Sequence, residues 1–377
     1  MPSNPLSNPS LYIEKGNAFV YYAFDVGSAI DIVKAEQLIA LDKKKVPTMD
    51  KKRQAKYFEF TPPPIRAVLE APIVAIGTKF STSTNVEILI FDFGCISVRF
   101  EIPILGDVNE VIELSVDLYE NLRLKETAKA LVTKLLENIR SVVDRPEIAE
   151  RIEDYCIFHL SQVKPELSPQ QLLSDHIIPI TALLRAEADR PSDREVQEIL
   201  SDRISYGSQD VTLMSWYSAV IYGDNAEDIY TVLEFANLVL MELSYLDSRL
   251  DKSLDEFYDY FTEHHRSGFS VLDLRSKKPQ LRKISRLQID SAISFERITN
   301  ALKLMGDDFQ ARVFQLATRK MGLALWDASI SRKLRTIESI YDKISDSEGA
   351  RRMEVLEWII IALITISIII PFLPGLH

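Results

Sequence analysis

The sequence predicts an α+β domain, mixed in its alternation of strands and helices. A long antiparallel helical hairpin of coiled-coil type and a C-terminal transmembrane segment follow it. Three observations carry that prediction. Within residues 1–225, short β-branched and aromatic runs alternate with segments of helical periodicity. Within 226–350 the apolar residues recur in heptad steps. Within 351–377 the charges stop at Glu357 and an apolar run takes over.

The elements follow in order. Ala18–Phe24 (AFVYYAF) reads as a strand, and a helix over 28–41 carries Ile30, Val33, Leu38 and Leu41 at near-helical spacing, with Ser28 as its N-cap. A basic, proline-ended loop leads to strands at 65–76, 86–93 and 95–102, the last two separated by Gly94. One helix is expected over 107–143, with Leu124, Ala128, Leu131, Leu135 and Ile139 on one face and Pro146 beyond its end. A strand at 154–162, helices at 168–187 and 192–203, and a single apolar strand at 211–222 complete the domain.

The first heptad seam runs through Ile229, Val232, Ala236, Val239, Leu243, Leu246 and Leu250, and reaches Phe261 after one stutter. Gly268 marks a turn. The second runs from Phe295 through Phe309, Leu316, Leu323, Trp326, Ile330, Leu334, Ile337 and Tyr341 to Ile344, on a helix expected over 282–346. That helix outlasts its partner. Trp326, Ile330, Leu334, Ile337, Tyr341 and Ile344 should therefore form an apolar stripe covered by a second copy of the chain, a homo-oligomer interface. Arg312 and Arg319 occupy seam positions. They either snorkel to the rim or meet an acidic residue of another subunit and set register.

Net charge is −11, from 44 Lys and Arg against 55 Asp and Glu, which disfavours general nucleic-acid binding. The basic runs at Lys43–Lys45, Lys51–Arg53 and 275–286 are local exceptions. They read as solvated surface, with acidic lipid headgroups or ribosomal RNA as the alternative partner. Cys95 and Cys156 lack disulfide-framework or metal spacing, and the first sixteen residues resemble no secretory signal, so a reducing compartment is expected. The triplet within Phe91–Gly94 lacks the other kinase patterns and reads as a strand end. Glu263–Arg266 offers two adjacent histidines without a third ligand. No catalytic, cofactor-binding or metal-ligating residue is indicated, and no small-molecule substrate is evident, so the chain reads as a non-enzyme.

The anchor is assigned to Arg351, Arg352, Glu357, Trp358, Ile359, Ile360, Leu363, Ile364, Ile368, Ile369 and Ile370. The arginines precede the apolar run and no positive residue follows before His377, so the bulk of the chain is expected in the cytoplasm. Leu356–Ser367 (LEWIIIALITIS) resembles the C-terminal signature of the family named for being required for meiotic nuclear division. Glu87–Phe100 is similar to that family's central strand–turn–strand, and Ala18–Leu38 to its opening strand and helix. The chain departs from the pattern at Ser367, where an acidic residue is usual, and at Arg99–Phe100, where a Trp often stands. The resemblance implies a membrane-anchored protein without established catalysis, some of whose relatives support translation at the mitochondrial inner membrane. The chain as a whole reads as a membrane-anchored scaffold or tether. An enzyme with an unrecognised site in the α/β domain is the remaining alternative.

Overall fold

The computed structural model describes residues 10–41, 62–224, 226–266, 289, 308–340 and 357. It divides into two compact units, Met1–Tyr245 with Ser294–Asp327, and Leu246–Ile293 with Ala328–His377. The chain forms β1 (Tyr12–Asp25), β2 (Ala29–Ile30), α1 (Ile32–Leu41), β3 (Ile65–Glu70), β4 (Ala75–Ile76), β5 (Phe80–Ser81), β6 (Asn85–Ile90) and β7 (Cys95–Asp107). Next come α2 (Val108–Leu118), α3 (Leu122–Ile139), β8 (Val143–Asp144), β9 (Ile152–Lys164), α4 (Pro169–Arg185) and α5 (Asp193–Ser201). β10 (Val211–Met214), β11 (Ser218–Tyr222), α6 (Glu227–Arg266), α7 (Asp308–Lys320) and a helix over 323–340 follow. The architecture is mixed α+β.

The first unit is built on a seven-stranded sheet ordered β10-β11-β9-β1-β7-β6-β3. Every ladder is antiparallel except β11 with β9. β1 lies at the centre, which explains its composition: residues 18–24 are buried on both faces, so the run is continuously apolar rather than alternating. Val20, Tyr22 and Phe24 join one core with α2, α3 and α4, whereas Ala23 on the opposite face meets Leu238 and Met241 of α6. Helix starts follow capping chemistry. Asp107 with Glu110, Ser168 with Gln171 and Ser192 with Glu195 each form a reciprocal capping box.

Several boundaries differ from expectation. α1 begins at Ile32, and the Asp31 carboxylate, not Ser28, accepts from the first turn (Lys34 N–H, 3.1 Å). The helix expected over 107–143 is two helices, because Glu120 takes φ 52° and Asn121 restarts the chain by accepting from Leu124 N–H at 3.0 Å. The strand expected over 211–222 is a hairpin, closed by Ser215 N–H to the Ser218 carbonyl at 2.7 Å. The helix expected over 282–346 is interrupted at Gly322, whose φ of 68° ends α7 in a left-handed turn. α7 itself packs in the first unit. Phe309 meets Tyr206 edge-on and Phe314 lies beside Phe235.

In the second unit Asp247 accepts from Ser329 Oγ at 2.9 Å, and Lys333 pairs with Asp247 at 2.7 Å and Asp251 at 2.6 Å. The pairing order, 247 with 329 and then 251 with 333, runs the same way along both helices. The stretch around 329–333, expected to lie beyond the end of its partner helix, instead runs parallel to 247–251.

Gly94 ends the β6–β7 turn at φ 93°. A Cβ there would stand 1.8 Å from the Gly27 carbonyl oxygen. The sequence Phe91–Gly94 thus serves a backbone-on-backbone contact. The Gly94 carbonyl accepts from Val26 N–H (2.9 Å), and the Asp92 carbonyl from Ile30 N–H (2.8 Å).

Candidate functional site

Two of the unexpected turns face one another across a cleft of about 560 Å³ in the first unit, within the range of small-ligand sites. The α2–α3 turn contributes Tyr119, Glu120 and Asn121, and the β10–β11 turn contributes Trp216 and Tyr217. Tyr22 of β1 and Asp154 of β9 form the floor; they are ladder partners, so their side chains leave the sheet on the same face. The aromatic rings lock the two turns together. Tyr119 stands edge-on to Trp216 (centroids 5.9 Å) and to Tyr217 (5.0 Å). Trp216 is nonetheless 56% exposed, which leaves an aromatic surface open to solvent.

The polar groups at the floor are poorly solvated. Burial, opposed by Lys125 and reinforced by Glu153 and Glu120, pushes the Asp154 carboxyl up to about 6. Burial likewise raises the Tyr22 and Tyr217 hydroxyls and the fully buried Cys156 thiol. Tyr22 O–H donates weakly to the Asn121 carbonyl at 3.4 Å. Tyr217 is only 3% exposed, and its hydroxyl has no hydrogen-bond partner among the described residues. An orphaned buried hydroxyl is costly. It marks the place where a ligand group would be stabilised.

Asp154 should weaken the fold at neutral pH. Its proton is favoured in the folded state, so its contribution is present below the unfolded value of 3.8 and lost as pH rises through about 6. Asp154→Asn is expected to raise stability by about 1–2 kcal/mol at pH 7.5 and to change it little at pH 4, as read by urea unfolding.

A second polar cluster sits on the opposite face of the sheet, under α6. Arg99 of β7 pairs with Glu87 of β6 at 2.6 Å, and Glu87 also accepts from Arg66 at 3.2 Å. The Arg99 guanidinium lies 5.1 Å from the centre of the Phe19 ring. Buried Glu234 of α6 faces this group; burial raises its carboxyl, and the Arg99 charge opposes the rise. Nearby, Tyr230 O–H donates to His159 Nδ1, while His159 Nε2–H donates to the Gly223 carbonyl at 2.6 Å. These contacts pin α6 to the sheet. Among the described residues, Glu227–Glu256 is the one helix long and apolar enough to cross a membrane, and 83% of its apolar window is buried in protein.

The residues singled out by sequence lie elsewhere. Arg312 pairs with Asp308 of its own helix at 3.5 Å, and Arg319 meets Asp202 at 2.6 Å in its own chain rather than on another subunit. Trp326 is half-buried beneath the Arg151 guanidinium, 5.7 Å away. Leu334 is half-buried, and Ile330 and Ile337, expected to face water in a single chain, are fully buried within one. Covering those two isoleucines therefore needs no second copy. Tyr341 and Ile344 lie outside the described residues, as do the basic runs and all of the assigned anchor except Glu357, which is helical and exposed. Among the described residues no three His, Cys, Asp or Glu side chains are placed to hold a metal. Both cysteines are free and buried.

The model of a family described as "Uncharacterized protein MJ0711, N-terminal domain" matches residues 15–228. The chain belongs to that family. The family's matched span takes in Tyr22, Tyr119, Asp154, Trp216 and Tyr217 and stops at the first turn of α6. A relative described as "Uncharacterized protein MJ0711", from Methanocaldococcus jannaschii, is 24% identical over 259 residues, covering 67% of this chain and 74% of that protein. No solved structure matches the chain.

Proposed function

We propose that this protein is a membrane-anchored, non-enzymatic scaffold. Its α+β unit is the part that receives a partner or ligand, and residues 351–377 fix it to a bilayer with the bulk of the chain in the cytoplasm. The observation that carries the reading is the run from Trp358 to Leu376, which holds no charged side chain and directly follows Arg351, Arg352 and Glu357. Its length approaches the roughly 20 residues a spanning helix needs. The resemblance of Leu356–Ser367 to the family required for meiotic nuclear division supports the same reading, and lies well beyond the matched span that ends at residue 228. Beyond the part of α6 that lies on the sheet, the heptad spacing from Leu246 to Phe261 supports a coiled-coil character for the segment between.

The full chain is expected to remain in the membrane pellet after an alkaline carbonate wash, and a chain ending at residue 350 to be released. Full-length protein in the wash supernatant would overturn the anchor. Contact with ribosomal RNA through Lys43–Lys45 and 275–286 is the alternative partner; a salt-sensitive pull-down of rRNA would favour it. One observation favours an enzyme as the second reading, since a carboxyl held near 6 among phenols is suited to proton transfer. Turnover abolished by Asp154→Asn would establish it.

A further inference from the structure

We propose that the cleft between the α2–α3 and β10–β11 turns is a binding site for a small organic ammonium ion bearing N–H groups. Three features select that chemistry. The first is charge. Glu120, Glu150, Glu153 and Asp154 line the cleft against Lys125 and Arg151. Arg151 donates to Glu153 at 2.7 Å, so this pair largely cancels and the remaining carboxylates outnumber Lys125. The field at the cleft is negative and favours a cation over an anion or a neutral ligand.

The second feature is the aromatic wall. Tyr119 and Trp216 meet edge-to-face and stay 41% and 56% exposed. Ring faces bordering a carboxylate attract an ammonium head and its adjoining CH₂ groups, because the π-face is negative. The third feature is the Tyr217 hydroxyl, buried beside the Asp154 end of the cleft with no partner among the described residues. A phenol oxygen accepts from an N–H, and Asp154 accepts a second. A fully methylated ammonium supplies neither bond, so a primary or secondary amine is the better occupant. The cleft volume of about 560 Å³ leaves room for a chain of several carbons. This site is independent of membrane anchoring, so neither proposal falls with the other.

The test is titration calorimetry on the full chain in a non-ionic detergent, with butane-1,4-diammonium, the isosteric butane-1,4-diol, tetramethylammonium and succinate as probes. The diammonium is expected to bind saturably. The diol and succinate should give no saturable heat, and tetramethylammonium should bind at least about tenfold more weakly. Asp154→Asn should weaken the diammonium at least about tenfold, and Tyr217→Phe about fivefold. Thermal melts of both variants establish that the unliganded fold is retained. The near-isosteric Asp154→Asn change is expected to melt no lower than wild type, so lost binding there is not lost folding. Absence of saturable diammonium binding, binding of the diol as tight as the diammonium, or wild-type affinity in folded Asp154→Asn would each overturn the proposal.

Discussion

Arg99→Met is expected to cost about 3–5 kcal/mol of stability, the range for removing one partner of a buried ion pair. Arg99 is only 14% exposed, and its guanidinium is the group that Glu87 reaches at 2.6 Å and that the buried Glu234 faces. Glu87 keeps Arg66, at 3.2 Å. Glu234 keeps only weaker support, so its carboxyl rises further once Arg99 is gone. A raised carboxyl contributes stability at low pH that is lost as pH rises through its folded value. The deficit should therefore be smaller at pH 5 than at pH 8, and Glu234→Gln should recover part of it at pH 8. Urea unfolding of the four members of this double-mutant cycle at both pH values checks the expectation. A pH-independent loss, equal with and without Glu234, would mean that Glu234 has no share in it and that the loss lies in the Glu87 pair and the packing on Phe19.

Gly94→Ala is expected to cost about 3 kcal/mol or more. The φ of 93° is unfavourable for any residue with a side chain, and the new Cβ would stand 1.8 Å from the Gly27 oxygen and 2.8 Å from its carbonyl carbon. Neither side can yield cheaply. Gly27 has its own φ of 152°, and the Gly94 turn is held by hydrogen bonds to Val26 and Ile30. Thermal unfolding measures the loss, and Gly207→Ala is the control. Gly207 has only an Asp210 oxygen at 3.4 Å from the added carbon, so that change should shift the melt by no more than a few degrees.

Sequence periodicity revealed the strands of the sheet well, because burial on both faces makes β1 continuously apolar and burial on one face makes α3 amphipathic. It did not reveal the cleft, for a specific reason. Both cleft walls are turns that sit inside uninterrupted apolar patterning. At Leu118–Leu122 the helical period resumes in phase across Glu120, whose positive φ no glycine announces. At Met214–Ser218 the turn is made of Ser, Trp and Tyr, which read as strand formers, while the hairpin's Gly and Asn signals are missing. The one local clue was Asn121, a good N-cap in mid-pattern. Asp154 and Tyr22 gave no signal at all, since their meeting depends on a β1–β9 register set far apart in the chain. The seam over 226–250 was legible as helix, but its partner was not. The same apolar spacing suits a coiled coil and a helix lying on a sheet, and here Ala236, Leu238 and Met241 are buried in the first unit.

The central place of β1 sets a schedule for synthesis. Tyr21 waits for Arg99 on one side and Tyr155 on the other, partners that emerge 78 and 134 residues later (99 less 21, 155 less 21). At roughly 5–20 residues per second, its second neighbour arrives about 7–27 s after it leaves the ribosome. For that interval the run Ala18–Phe24 has unpaired backbone on at least one side and apolar side chains on both faces. A nascent chain in this state is a substrate for chaperones that hold extended apolar segments. The strand that finally joins the two halves of the sheet is also the one that spends longest without neighbours.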